Sequence, residues 1–224
     1  MDPFFNFENL ELPDQGKLED AIRRTKDSAT GPDGVPYSAY KANVELSAKI
    51  LHNSMSDLQL DDPQSDLASF NSQLVWMAPK GASAEDGKVV LRTPNNLRTI
   101  FGSNADSKII SGATAYELVE PTLCVTPSSQ RGFCRGRQLG VNIVDIDAFV
   151  RVFKSIYDAS PSCNDIASLP GTPLYDFCNA FPTVLHEWLF LILRCYKLPR
   201  KFRRLILNLY IEIQAYSSGI GDGS

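Results

Sequence analysis

Residues 174–190, "LYDFCNAFPTVLHEWLF", place one carboxylate, Asp176, in a short apolar run and follow it with Ala180 and Phe181. An acid in such a run is costly unless it has a local partner or chemistry to perform. Asp176 therefore either holds a metal or caps a turn. The run itself reads as a strand. Beyond it Leu185, Trp188, Leu189 and Ile192 recur at helical spacing, which predicts a helix with Trp188 in the core. Pro199 opens a second helix, with Phe202, Leu205, Ile206, Leu209, Tyr210 and Ile213 along its apolar face. The glycine-rich "YSSGIGDGS" reads as a loop.

Working upstream, "SPSCNDIASLPGTP" (160–173) is the clearest linker. Before it a long helix is expected, carrying Ile146, Phe149, Val150, Phe153 and Ile156 on one face. Asp145 and Asp147, two apart on that helix, point to different faces and read as solvated charges. A helix from Asn104 to about Glu120 is expected, capped by Asn104 or Asp106, with Pro121 and Pro127 bounding a loop. "QLVWMAP" (73–79), "GKVVLR" (87–92) and "NNLRTIF" (95–101) read as short strands of a small antiparallel sheet. Gly16–Lys26 predicts a short helix. "DSATGPDGVP" predicts a turn through Pro32 and Gly34, and one helix is expected from Pro36 to Leu58. His52 and His186 occupy ordinary helix positions, with no ligand-spaced partners.

The composition bounds the function. With 43% hydrophobic and 21% charged residues, the 224-residue chain is of ordinary globular character. A net charge of −4 excludes a uniformly basic nucleic-acid binder, so any basic surface is local. The five cysteines lack CxxC or Cys/His spacing, which points to reduced thiols and an intracellular protein, in nucleus or cytoplasm. No apolar run is long enough for a membrane span, so no membrane partner is expected.

Four stretches then bring a family into view. "SATGPDGVPYSAYK" (28–41), "LVWMAPKG" (74–81) with "NNLRTIFGSNADSKI" (95–109), "SSQRGFCRGRQLGVNI" (128–143) and the opening stretch resemble successive blocks of reverse transcriptases, most closely the non-LTR retrotransposon type. The resemblance runs from about Ala21 to Tyr216. It implies an α/β (α+β) fragment of the right-hand polymerase fold, helix-rich with a small antiparallel sheet. Residues 1–15 would be an irregular lead-in, 16–160 a fingers-like region, and 161–224 a partial palm with the first catalytic motif.

The resemblance also implies roles for particular residues. Asp176 would be the first catalytic carboxylate and, with the carbonyl of Phe177, a ligand for Mg2+. Magnesium takes hard oxygen ligands, and two such ions stabilise the attacking and leaving oxygens of nucleotidyl transfer. Lys80 and Arg98 would clamp the triphosphate of the incoming deoxynucleotide, a task that ammonium and guanidinium groups suit. Phe181 would exclude a 2′-hydroxyl. Arg131, Arg135 and Arg137 would track RNA template and DNA primer, and Phe133 would either stack on a base or anchor its loop. Thr99 stands where the family has proline, and Pro182 where it has aspartate.

The family's paired aspartates are expected on a hairpin downstream, yet residues 177–224 hold a single aspartate, Asp222, in a polar glycine loop. The chain is thus expected to be a fragment, truncated before those later motifs. The alternative is a non-catalytic nucleic-acid-binding remnant, or an inert partial gene product. The sequence carries no expectation of an oligomeric state.

Overall fold

A computed structural model describes residues 7–82, 84, 86, 90, 92–158 and 183–217. Among these, residues up to Leu118 and from His186 onward form one compact unit, and those from Val119 to Leu185 form another. The described chain is helix-rich with a small sheet, a coarse α+β class.

After a 3-10 turn at Phe7–Asn9, the first α-helix of the larger unit is α1 (Gln15–Arg24), capped by Asp14, whose side chain accepts from the Lys17 amide at 2.8 Å. The single helix expected after Pro36 is two, α2 (Tyr37–Ala42) and α3 (Val44–Asp57). The break falls at Asn43, whose side-chain oxygen accepts from the Leu46 amide and so caps α3. A short asparagine side chain that competes for backbone donors favours such an interruption. After the one-turn α4 (Leu67–Phe70) come strands β1 (Gln73–Pro79) and β2 (Leu97–Ser103), then helix α5 (Ala105–Glu117). Helices α8 (His186–Cys195) and α9 (Arg200–Tyr210) and strand β3 (Ala215–Ser217) complete the unit.

Its core is helical. Leu18 and Ile22 of α1, Leu51 and Met55 of α3, Ile109 and Ile110 of α5, and Leu205 of α9 form one buried cluster. Burying each such side chain contributes about 1.5–3 kcal/mol. The apolar stripe that predicted α9 therefore helps to fill the core, through Leu205. Trp188 departs from expectation: it is 58% exposed, and α8 carries no buried residue. The fully buried Phe202 and Leu205 show that α9 closes the core, which leaves α8 outside it.

The sheet is mixed rather than antiparallel, with strand order β2-β1-β3. β1 and β2 are antiparallel, pairing Gln73 with Ser103 through Pro79 with Leu97. β3 joins the other edge of β1 in parallel, with Gln73 opposite Ala215. Tyr216 and Ser217, read from sequence as the start of a loop, belong to that third strand, and the rest of that stretch lies outside the described residues. The strand expected over 87–92 falls largely outside the described residues, and Val90 and Arg92 are not in a strand.

The second unit contains α6 (Val119–Val125) and α7 (Gly140–Asp158) with the intervening loop. Pro121, expected to bound a loop, lies in the first turn of α6, where its missing N–H has no helical acceptor to serve. The apolar face expected on α7 is solvent-facing, with Phe149 and Phe153 in contact at 4.5 Å between ring centroids. Among the described residues no helix is long and apolar enough to cross a membrane.

Candidate nucleotide and nucleic-acid sites

The β1–β2 register decides how Lys80 and Arg98 stand to one another. Arg98 is opposite Ala78, and the ladder continues one residue beyond β1, where the Lys80 amide donates to the Asn96 carbonyl at 2.8 Å. Side chains alternate along a strand, so Lys80 shares the face of Ala78 and hence of Arg98. The two cations are diagonal neighbours, roughly 7–8 Å apart in such a ladder. Both are exposed. The Lys80 ammonium donates to the Asn95 carbonyl at 2.9 Å. Two cations on one face of a two-stranded ribbon can hold a polyphosphate.

The same ribbon depends on Gly102. A Cβ there would lie 2.4 Å from Cζ3 of Trp76, so the indole of β1 lies directly over the β2 backbone.

The "GPDG" stretch forms a turn in which the Gly34 amide donates to the Gly31 carbonyl at 3.1 Å and Gly34 has φ +71°. That is the turn chemistry expected for Pro32 and Gly34. Its anchor was not legible in the sequence. Asn104, 3% exposed, accepts from the Asp33 amide at 3.2 Å and donates through Nδ2 to the Ser69 carbonyl at 3.1 Å. Asn104 stands before α5 as expected, but its side chain makes no capping bond to that helix. Beside it Asp106 has its pKa raised by burial and further by the Asp33 charge, partly offset by the Ser107 amide. Tyr40 is raised as well, chiefly by burial and then by Asp106 and Asp33.

The arginine-rich loop divides its labour. Arg137 donates to the carbonyls of Gln130 at 2.8 Å, Thr126 at 3.1 Å and Leu123 at 3.3 Å, and also to that of Pro127. Its guanidinium is the hub around which the loop closes. Arg131 binds Asn142 and Asp145, each at 2.6 Å. Asp145 is therefore ion-paired rather than only solvated, as is Asp147 with Arg151 at 2.7 Å. Arg135 is exposed. Phe133 is 99% exposed with φ +59°, so it does not anchor its loop to a core.

Asp176, Phe177 and Phe181 lie outside the described residues. Among the described residues no three His, Cys, Asp or Glu side chains are grouped to hold a metal.

One basic cluster escaped the sequence reading. "RCYKLPRKFRR" (194–204) brings Arg194, Arg200, Arg203 and Arg204 to a pocket between α8 and α9. The signal was present as a dense run of cations, masked by the apolar stripe that interleaves it.

No protein-family model matches the chain, and no curated protein matches it.

Proposed function

We propose that the chain is part of an RNA-directed DNA polymerase of the non-LTR retrotransposon type, comprising fingers and the first palm motif. The observation that carries this reading is the order of the four blocks at 28–41, 74–109, 128–143 and 174–190. The shared face of Lys80 and Arg98 supports it, since that pair suits an incoming triphosphate. So does the exposure of Phe133 and Arg135, which offers one stacking surface and one cation to a nucleic-acid strand.

In this reading Asp176 and the Phe177 carbonyl hold magnesium, which when bound stabilises charge developing on the transferring phosphate. Lys80 and Arg98 orient the triphosphate, and Phe181 closes the space a 2′-hydroxyl needs. Aspartates beyond Asp176 have to come from outside residues 177–224, apart from Asp222. That same scarcity favours a second reading, a nucleic-acid-binding protein without catalysis.

Primer extension by the product of the whole reading frame, on an RNA template with deoxynucleotides and Mg2+, tests the proposal. Synthesis that Asp176→Asn abolishes is the expected result. RNA binding without synthesis in the parent leaves only the second reading.

A further inference from the structure

The α8–α9 corner is built by a left-handed residue. Lys197 has φ +54°, the Leu198 amide donates to the Leu193 carbonyl at 3.1 Å, and the Lys197 amide donates to the Arg194 carbonyl at 2.9 Å. These two bonds close the C-terminus of α8 and turn the chain directly into α9. Arg194 on the last turn of α8 thereby comes to the same pocket as Arg200, Arg203 and Arg204 on the first turns of α9. The pocket has a volume of about 400 Å³, and Phe190, Leu193 and Leu207 supply its apolar lining.

The charges there are poorly compensated. Arg200 and Arg204 both bind Asp61, so two guanidiniums share one carboxylate. Arg203 donates to a neutral partner, the Leu198 carbonyl, at 3.0 Å. Arg194 makes no ion pair among the described residues. Arg200, Lys201, Arg203 and Arg204 also crowd the N-terminal end of α9, where the helix dipole already places positive charge. Helix stability alone would favour acids at that end. An anion seated in the pocket would relieve both the mutual repulsion and the dipole.

We infer that the α8–α9 pocket is a binding site for the phosphodiester backbone of a single-stranded nucleic acid, separate from the 131–137 loop. Flat guanidinium forks match phosphate oxygens, and the Phe190 side chain with its leucine neighbours offers an apolar surface to a base or ribose. An acidic polypeptide would use the charge but leave that surface bare. The site stands on its own charge and shape, and it extends the proposed function by a second contact for template or primer.

The test uses the 224-residue chain and short fluorescein-labelled single-stranded RNA and DNA, with anisotropy followed over a salt series. Arg194→Ala with Arg203→Ala should weaken binding about tenfold and reduce the log–log salt slope by about 1.4, at ~0.7 per phosphate. Circular dichroism melting checks the fold of the double variant. If that variant is unfolded, Arg194→Glu alone decides, since Arg194 is exposed and has no ion pair to lose among the described residues. Unchanged affinity and slope in a folded variant overturn the inference, as does displacement of RNA by poly-glutamate at equal charge. Loss of binding in Arg135→Ala with none in Arg194→Glu sinks this site and leaves the proposed function standing. Absence of polymerisation by the complete frame leaves this site untouched.

Discussion

Gly31 and Asn104 touch so closely that a Cβ on Gly31 would lie 2.3 Å from Asn104 Oδ1 and 2.5 Å from the Asn104 amide nitrogen. The contact seats the GPDG turn against the start of α5, and through the Asn104 side chain it reaches the end of α4. Glycine is needed at 31 for proximity, and at 34 for its backbone angle.

Gly31→Ala is expected to destabilise the protein by about 2 kcal/mol or more, because the added methyl meets backbone that cannot rotate away. Gly34→Ala meets nothing within 4 Å and is strained only by φ +71°, so its cost should be smaller, about 1–2 kcal/mol. Urea unfolding midpoints of the two variants give the comparison, and an equal loss would remove the close contact as the cause.

Two buried asparagines tie α9 to the rest of its unit. Asn208 donates to the carbonyls of Leu58 at 2.9 Å and Leu60 at 3.0 Å, at the end of α3. Asn71 donates to the carbonyls of Asn208 and Ile211, each at 2.7 Å, at the end of α9. Asn208→Ala should cost roughly 2–3 kcal/mol, since buried carbonyls lose their donor. Hydrogen exchange should show the loss at the C-terminus of α3 as well as in α9; protection unchanged in α3 would contradict the link.

Asp106 gives a pH dependence of definite sign. Its folded pKa lies above the ordinary value of 3.8, so the unfolded chain ionises first as pH rises. Between 3.8 and the raised value the folded state binds more protons, and stability falls with increasing pH across that window. Asp106→Asn keeps an acceptor for the Ser107 amide, now 2.6 Å from Asp106 Oδ1, and removes the titration. Its stability should decline less than the parent's from acidic to neutral pH, as read by denaturant titrations in parallel. Identical profiles would show that the folded state leaves Asp106 unperturbed.

The arginines at 135 and 137 should separate in their effects. Arg137→Ala removes several bonds to loop carbonyls and should lower stability by about 1–3 kcal/mol and disorder the 126–137 segment. Arg135→Ala should leave the melting point within about 1 °C, since exposed substitutions shift stability little, while reducing RNA binding. Melting curves and anisotropy on the same two variants make the distinction.

Under the proposed function, Arg98→Ala should raise the KM for deoxynucleotides about tenfold, the loss of one charge-assisted contact to phosphate. The kcat should change less than the KM, because Arg98 would bind the triphosphate in ground and transition states alike. An unchanged KM would return Arg98 to the role of a surface charge on β2.

The helices were legible in the sequence because their hydrogen bonds are local and the buried side repeats with the helical period. Leu51 and Met55, or Phe202 and Leu205, announce themselves by spacing and then fill the core. The GPDG turn was equally legible, since Gly34 needs an angle that few other residues adopt. The strands that carry Arg98 and precede Lys80 were legible too, but the face the two cations share follows from the β1–β2 register. Other features depended on which distant backbones meet. Ala215–Ser217 is a strand only because β1 offers an unpaired edge, and no nearby residue encodes that offer. Trp188 carries a core residue's chemistry, yet α9 had already closed the core. Arg131 and Arg137 read alike in the sequence as cations for phosphate, while the fold turns one toward Asp145 and the other toward four carbonyls. Asn104 read as a cap for α5, and Asn71 and Asn208 carried no sequence signal. They become indispensable only where folding has stranded another segment's backbone groups away from water, and that is a property of the tertiary structure alone.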